Sequence, residues 1–194
     1  MVRPREFDRD DALQRAMRVF WARGFAATST DDLVQAMGIG RQSLYNAFGD
    51  KRRLYLEALE AYQQGTVAGH LQRLRAPASP LAGLRDLLLG LIAEDDALRG
   101  LGCMGVGSVG EFGASDPDVA VLGAKAAAPL RARLVERIRE GQAGGEIARE
   151  IDAGDAADFV GMTMTGLQLA ARGGAGLADL RRMAAFAIDR LTAR

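Results

Sequence analysis

The chain carries 194 residues with 25 basic against 25 acidic side chains, one His and one Cys, so its formal net charge is zero. That balance argues against a protein that coats nucleic acid non-specifically, though a local basic patch can hide within such a sum. A lone Cys rules out an intramolecular disulfide framework and fits a reducing compartment, and a lone His leaves no His-based metal cluster.

With three Tyr, seven Phe and one Trp against abundant Ala, Leu and Gly, the propensity balance predicts an all-α fold. Amphipathic spacing predicts a first helix over residues 12–21 that ends at Gly24-Phe25. Thr30 is suited to cap a second helix carrying Leu33, Val34, Ala36 and Met37, with Asp31 and Asp32 near its positive end. Gly38-Ile39-Gly40 breaks that helix, since glycine takes positive φ at low cost just past a helix end. A third helix starts at Arg41, with Leu44, Ala47 and Phe48 on its buried face and Arg41, Gln42, Ser43, Tyr45 and Asn46 outward or on the flanks. Asp50 caps a fourth helix from Lys51, and Leu54, Ala58, Leu59, Tyr62, Val67, Leu71 and Leu74 predict that it runs unbroken to the Pro-containing stretch 76–80. The expected units are an N-terminal helix-turn-helix domain, 1–50, and a helical body, 51–194.

In the body, the spacing predicts a helix over 81–98, then a glycine-dense, apolar segment over 102–113 that neighbouring elements can approach closely. Asp116-Pro117 opens a helix to about residue 140, with Pro129 as a kink point. A loop over 141–154 is anchored by Ile147 and Ile151, Asp155 caps a helix over 156–172, and a last helix covers 177–191.

The order of residues in the first third resembles the N-terminal domain of the TetR family of bacterial transcriptional regulators. The resemblance rests on Ala16 and Phe20 with Gly24-Phe25, the Met37-Gly38-Ile39 turn, Leu44-Tyr45 with Phe48, and the following Lys51. Gly40 departs from the pattern, since the position before the recognition helix is often Ser or Thr in that family; glycine is a tolerable N-cap. Looser likeness extends through Gly102-Cys103-Met104, Glu111-Phe112, Asp116-Pro117-Asp118-Val119 and residues 144–174. The resemblance implies a dimeric repressor that holds a palindromic operator with two recognition helices and releases it when a small molecule enters the body.

Within that frame Arg41 and Gln42 open the recognition helix, where Arg can bond two acceptors of guanine and Gln both groups of adenine. Tyr45 offers a hydroxyl, Lys51 an ammonium beside first-turn amides, and Thr30, Ser43 and Asn46 further phosphate contacts. Arg41, Lys51, Arg52 and Arg53 face only Asp50 in the same stretch, and Arg3 and Arg5 add charge at the N-terminus.

Candidates for an apolar effector pocket are Tyr62, Leu88, Cys103, Met104, Val106, Phe112, Leu122, Ala126, Phe159, Met162 and Thr163. Small and apolar residues on the last two helices, Gly161, Gly166, Leu167, Ala170, Leu180, Met183, Ala184, Ala187 and Leu191, are the expected homodimer surface, or else complete the monomer core. Glu111, set between apolar residues, reads as a ligand-orienting acid or as a charge at a solvated edge. Cys103 reads as a small buried hydrophobe or as a sensor of oxidants and electrophiles, the latter making an alternative regulator with the same DNA-binding head. A helical enzyme or interaction module is a more distant alternative. No phosphate-binding loop, dinucleotide fingerprint, metal site or cofactor motif is present, and no enzyme is expected. The charged start and the short uncharged stretch 159–171 predict a cytoplasmic protein without a membrane span.

Overall fold

The computed structural model describes residues 7–113 and 115–193. Arg3 and Arg5, expected to contribute charge to the DNA-binding unit, lie outside the described residues. Ten helices follow one another there: α1 Arg9–Arg23, α2 Thr30–Met37, α3 Arg41–Phe48, α4 Lys51–Arg75, α5 Pro80–Leu89, α6 Asp96–Leu101, α7 Met104–Phe112, α8 Pro117–Ala143, α9 Ala153–Arg172 and α10 Leu177–Asp189. Among the described residues the sole β pairing is an isolated antiparallel bridge between Ile147 and Thr192.

The apolar side chains gather into two cores. The first unites α1 to α3 with the first half of α4: Phe20, Leu33, Leu44, Leu54, Tyr55 and Leu59 are fully or almost fully buried, and Met104 and Val119 of the body join them. Burying one such side chain stabilises by ~1.5–3 kcal/mol, enough in sum to hold three short helices against one long one. Arg9 at the start of α1 locks this arrangement, its guanidinium donating to both carboxylate oxygens of Glu57 at 2.6 and 2.7 Å and lying 4.4 Å from the Phe48 ring. The second core joins α5, α8, α9 and α10 through Leu84, Leu87, Leu88, Ile138, Val160 and Ile188. Since α4 contributes Leu54 to Leu59 to one core and Leu74 to the other, it crosses both without a break.

Local chemistry explains the departures from the sequence expectations. Ser29, not Thr30, caps α2: its hydroxyl accepts from Asp32 N while the Asp32 carboxylate accepts from Ser29 N, a reciprocal box that leaves Thr30 as the first helical residue. The expected helix over 81–98 ends at Gly90, and Asp95 caps the separate α6. The glycine-dense segment is itself a helix, α7. Asp152 rather than Asp155 caps α9, accepting from the amides of Gly154 and Asp155.

Candidate nucleic-acid interface and ligand cavity

The Gly38 turn, left-handed at φ 68°, sends the chain from α2 into α3 and leaves Leu44 and Phe48 inside while Arg41, Gln42, Tyr45 and Asn46 stay exposed. These four form one polar face with Ser43 half-buried at its flank. Gln42 Nε2 donates to Asn46 Oδ1 at 3.0 Å, and Arg41 pairs with Asp31 of α2. Both arrangements are solvent-exposed and cheap to exchange for a stronger acceptor. Lys51 rests its ammonium 4.2 Å from the Phe25 ring centroid at the start of α4, where the Asp50 carboxylate accepts from Arg53 N.

The basic patch is more neutralised than the local sequence indicates. Arg52 donates to Asp116 at 2.6 and 3.0 Å and to Asp118 at 2.7 Å, tying the start of α4 to the start of α8. The Arg52 guanidinium, with the Val119 amide, draws the Asp116 carboxyl down to about 2. Asp32 falls equally to about 2, first through its bonds from Ser29 and then through Arg23.

Beneath this head lies a cavity of about 1350 Å³ between α1, α4, α7, α8 and α9. Of the sequence candidates, Tyr62, Cys103, Val106, Ala126 and Met162 line it. The other six do not. Leu88 is sealed in the body core, and Met104 turns into the head core. Phe112 packs at a tilt against Phe25 and Tyr55, ring centroids 5.6 and 5.4 Å apart, and Leu122 packs against the same cluster. Phe159 is exposed on the outside of α9, where the Thr163 hydroxyl donates to its carbonyl. Sequence reasoning missed the polar groups of the cavity: Gln63, Thr66 and His70 on α4, Gln168 on α9, and the Arg131–Asp158 pair at 2.6 Å. Burial, reinforced by the neighbouring Arg73, holds His70 down to about 4, so its ring is neutral at pH 7. Tyr62 is pushed well above its ordinary value, chiefly by burial, and meets the Trp21 ring edge-on at 5.1 Å.

The expected dimer surface divides in two. Leu167, Leu180, Ala184, Ala187 and Leu191 are buried within the single chain, packed into the body core, and this corrects their assignment to a partner-facing surface. Gly166, Ala170 and Met183 are exposed, Gly161 is half-buried, and beside them Phe159, Met162, Leu169 and Phe186 form an uncovered apolar face. Met162 and Leu169 belong to both this face and the cavity lining, so the cavity opens toward it. Among the described residues no cluster of His, Cys, Asp and Glu could hold a metal ion, and no helix is long and apolar enough to cross a membrane.

Comparison with known proteins accords with this geometry. Residues 12–58 match the description "Bacterial regulatory proteins, tetR family". The HTH-type transcriptional repressor ComR of Escherichia coli (strain K12) is 31% identical over 186 residues, covering 94% of this chain and 88% of its own. The HTH-type transcriptional regulator YezE of Bacillus subtilis (strain 168) is 40% identical over 121 residues, 62% of either chain. A cysteine-substituted form of the TetR family transcriptional regulator CifR, solved with a 26-base-pair double-strand operator DNA, superposes with a TM-score of 0.80 at 31% identity, covering 97% of this chain and 99% of that one. A two-core helical chain with this turn, this exposed polar face on α3 and these relatives belongs to the tetR family of bacterial regulatory proteins, and is a DNA-binding transcriptional regulator.

Proposed function

We propose that the chain is a cytoplasmic, homodimeric repressor that grips a palindromic operator with two α3 helices and releases it when a small apolar molecule fills the cavity. The observation that carries this reading is the course of α4, which starts beside the recognition helix and lines the cavity with Tyr62, Thr66 and His70 before entering the body core. A ligand that prefers the cavity shape belonging to one head orientation shifts operator affinity by its ratio of affinities for the two states. Arg41 and Gln42 read base edges, while Thr30, Ser43, Tyr45, Asn46 and Lys51 hold phosphates. The uncovered α9 and α10 face meets its two-fold mate, which sets the half-site spacing.

The test is footprinting on the DNA flanking the chain's own gene, repeated with N-phenylnaphthylamine as an apolar probe of the cavity. A symmetric footprint that fades as the probe binds supports the reading. A footprint indifferent to a probe that demonstrably occupies the cavity overturns the ligand-responsive part.

A second reading, covalent sensing at Cys103, is favoured by one placement: the thiol lines the cavity beside Tyr62. Iodoacetamide that releases DNA from the wild type and not from Cys103→Ser separates it from reversible binding.

A further inference from the structure

The turn between α1 and α2 carries the backbone amides of Phe25 and Ala26, and one carboxylate from the body meets both. Glu111 Oε2 accepts from Phe25 N at 2.8 Å and Oε1 accepts from Ala26 N at 2.6 Å, across 86 and 85 residues of sequence. Two adjacent amides on one carboxylate make a charge-assisted clasp, stronger and more directional than a neutral pair. The approach is close: at Gly24, left-handed at φ +79°, an added Cβ would stand 2.9 Å from Glu111 Oε2. Glycine suits the positive φ there, and a side chain in its place would have to push the Glu111 carboxylate off the turn.

Glu111 stands in the last turn of α7, and the same helix walls the ligand cavity with Gly105, Val106, Val109 and Gly110, after Cys103 at its N-cap. One nine-residue helix therefore touches the cavity and the head together. It is built to yield. Glycine is the poorest helix former except proline, and α7 holds Gly105, Gly107 and Gly110. An added Cβ at Gly107 or Gly110 would meet nothing within 4 Å, so close packing does not demand those glycines. The neighbouring seam is fixed by different means, Trp21 Nε1 donating to the Gly102 carbonyl at 3.1 Å and Arg172 to the Leu101 carbonyl at 2.8 Å.

We infer that Glu111 is a positioning residue for operator binding: its carboxylate clasps the α1–α2 turn, fixing the angle of the DNA-binding head on the body, and α7 carries the state of the cavity to that clasp. The DNA-binding side of this inference rests on the dimeric reading above, because head angle matters to DNA only when two heads must match one half-site spacing. One added base pair between half-sites moves them ~3.4 Å and turns them about 35°, so a rigid dimer discriminates strongly.

The experiment uses the full chain as wild type, Glu111→Ala and Glu111→Gln, with thermal melts recorded for each. Hydrogen exchange reads the clasp without DNA: the Phe25 and Ala26 amides exchange at least ~10-fold faster in Glu111→Ala, while the amides of α2 and α3 are unchanged. Glu111→Gln, which keeps one accepting oxygen, falls between. Duplexes selected from a random library by the wild type are then assayed at the selected spacing, at one base pair more and less, and as single half-sites. The wild type loses roughly 10-fold or more on altered spacings; Glu111→Ala binds all three within about threefold and keeps its half-site affinity. Equal amide exchange in wild type and Glu111→Ala, an unaltered spacing profile, or loss of half-site binding each overturns the inference, the last because it would mark a merely structural role. If the wild type selects no duplex, the regulatory reading fails, and the exchange measurement alone still decides whether the clasp exists.

Discussion

Ala184 and Phe186 lie two residues apart on α10 and face opposite fates when a carboxylate replaces them. Ala184 is 1% exposed in the single chain, within the core that includes Leu180 and Ile188. An unpaired carboxylate there costs roughly 3–5 kcal/mol and the added volume about 1–3 more. Against a total stability of ~5–15 kcal/mol, Ala184→Glu should unfold the body or lower its melting temperature severely. Phe186 is 54% exposed and Met162 75% exposed, so by the fraction each buries within the chain either substitution costs the monomer only about 0.4–1.4 kcal/mol. Across a two-fold interface each side chain counts twice; scaling ~1.5–3 kcal/mol per buried side chain by these exposures gives about 2–4 kcal/mol lost per dimer for either change. That corresponds to a roughly 30- to 1,000-fold weaker dimer. Sedimentation velocity over a concentration series, paired with circular-dichroism melts, separates the two outcomes: Phe186→Glu and Met162→Glu should give folded monomers, and Ala184→Glu a destabilised chain. An Ala184→Glu protein that melts like the wild type would refute the burial argument, and a dimer unaffected by both Phe186→Glu and Met162→Glu would move the interface elsewhere.

Arg41→Ala should weaken specific operator binding by ~1–3 kcal/mol and relax preference at one base pair per half-site, whereas Lys51→Ala should weaken all sequences alike and reduce the salt slope by about one. Binding isotherms on specific and random duplexes across a salt series check both. His70, held down to about 4 in the fold, is a pH liability. The unfolded chain takes up its proton near the ordinary value of ~6.5 while the folded chain does not, so stability is full above that value and falls by about 1–3 kcal/mol as pH drops toward 4. Urea melts of wild type and His70→Gln between pH 7 and 4 test this, and a wild-type slope no steeper than the variant's would reject it. Gly107→Ala, with open space around the new methyl, should raise stability by ~0.5–1 kcal/mol and the melting temperature by a few degrees, as calorimetry reads directly.

The head was legible because its signals are local. A glycine that must turn left-handed, apolar residues three and four apart, and a capping Asp50 each act over a few positions, and α3 and α4 begin where those rules place them. Even there the cap of α2 falls to Ser29, since two adjacent hydroxyls look alike until the reciprocal bond with Asp32 is drawn. The body was less legible. Periodicity reveals that α9 and α10 each have an apolar stripe, but both are apolar on two sides, and only packing tells that Leu167 and Ala184 go inward while Leu169 and Phe186 do not. Low propensity hid α7, whose helix survives its glycines through contacts made by Met104 and Phe112 with the head cluster. Long-range partners such as Arg52 with Asp116, or Glu111 with the Phe25 amide, leave no trace in local pattern. The Glu111 side chain is on the exposed edge that the sequence allows, yet it is engaged rather than idle.

The placement of soft and hard segments bears on how the proposed ligand response could work at all. A ligand filling the cavity has to move the head without dissolving either core, because each core is worth far more than the few kcal/mol that separate two regulatory states. Over its 25 residues α4 is anchored at one end by Leu54, Tyr55, Ala58 and Leu59 and at the other by Leu74. Between those anchors come Gly65, with nothing within 4 Å of an added Cβ, and Gly69, where only the end of Arg73 approaches. Both line the cavity. Bending α4 at these glycines therefore tilts α1 to α3 while the body core stays packed, the shift being taken up where Met104 and Val119 meet the head core and where Arg52 holds Asp116, and a tilt of α4 at Lys51 must also move the α1–α2 turn that Glu111 holds. The helix and the clasp then constrain the same rotation from two sides, so a ligand has to relax both, and weakening either one alone should lower the ligand affinity difference required for release.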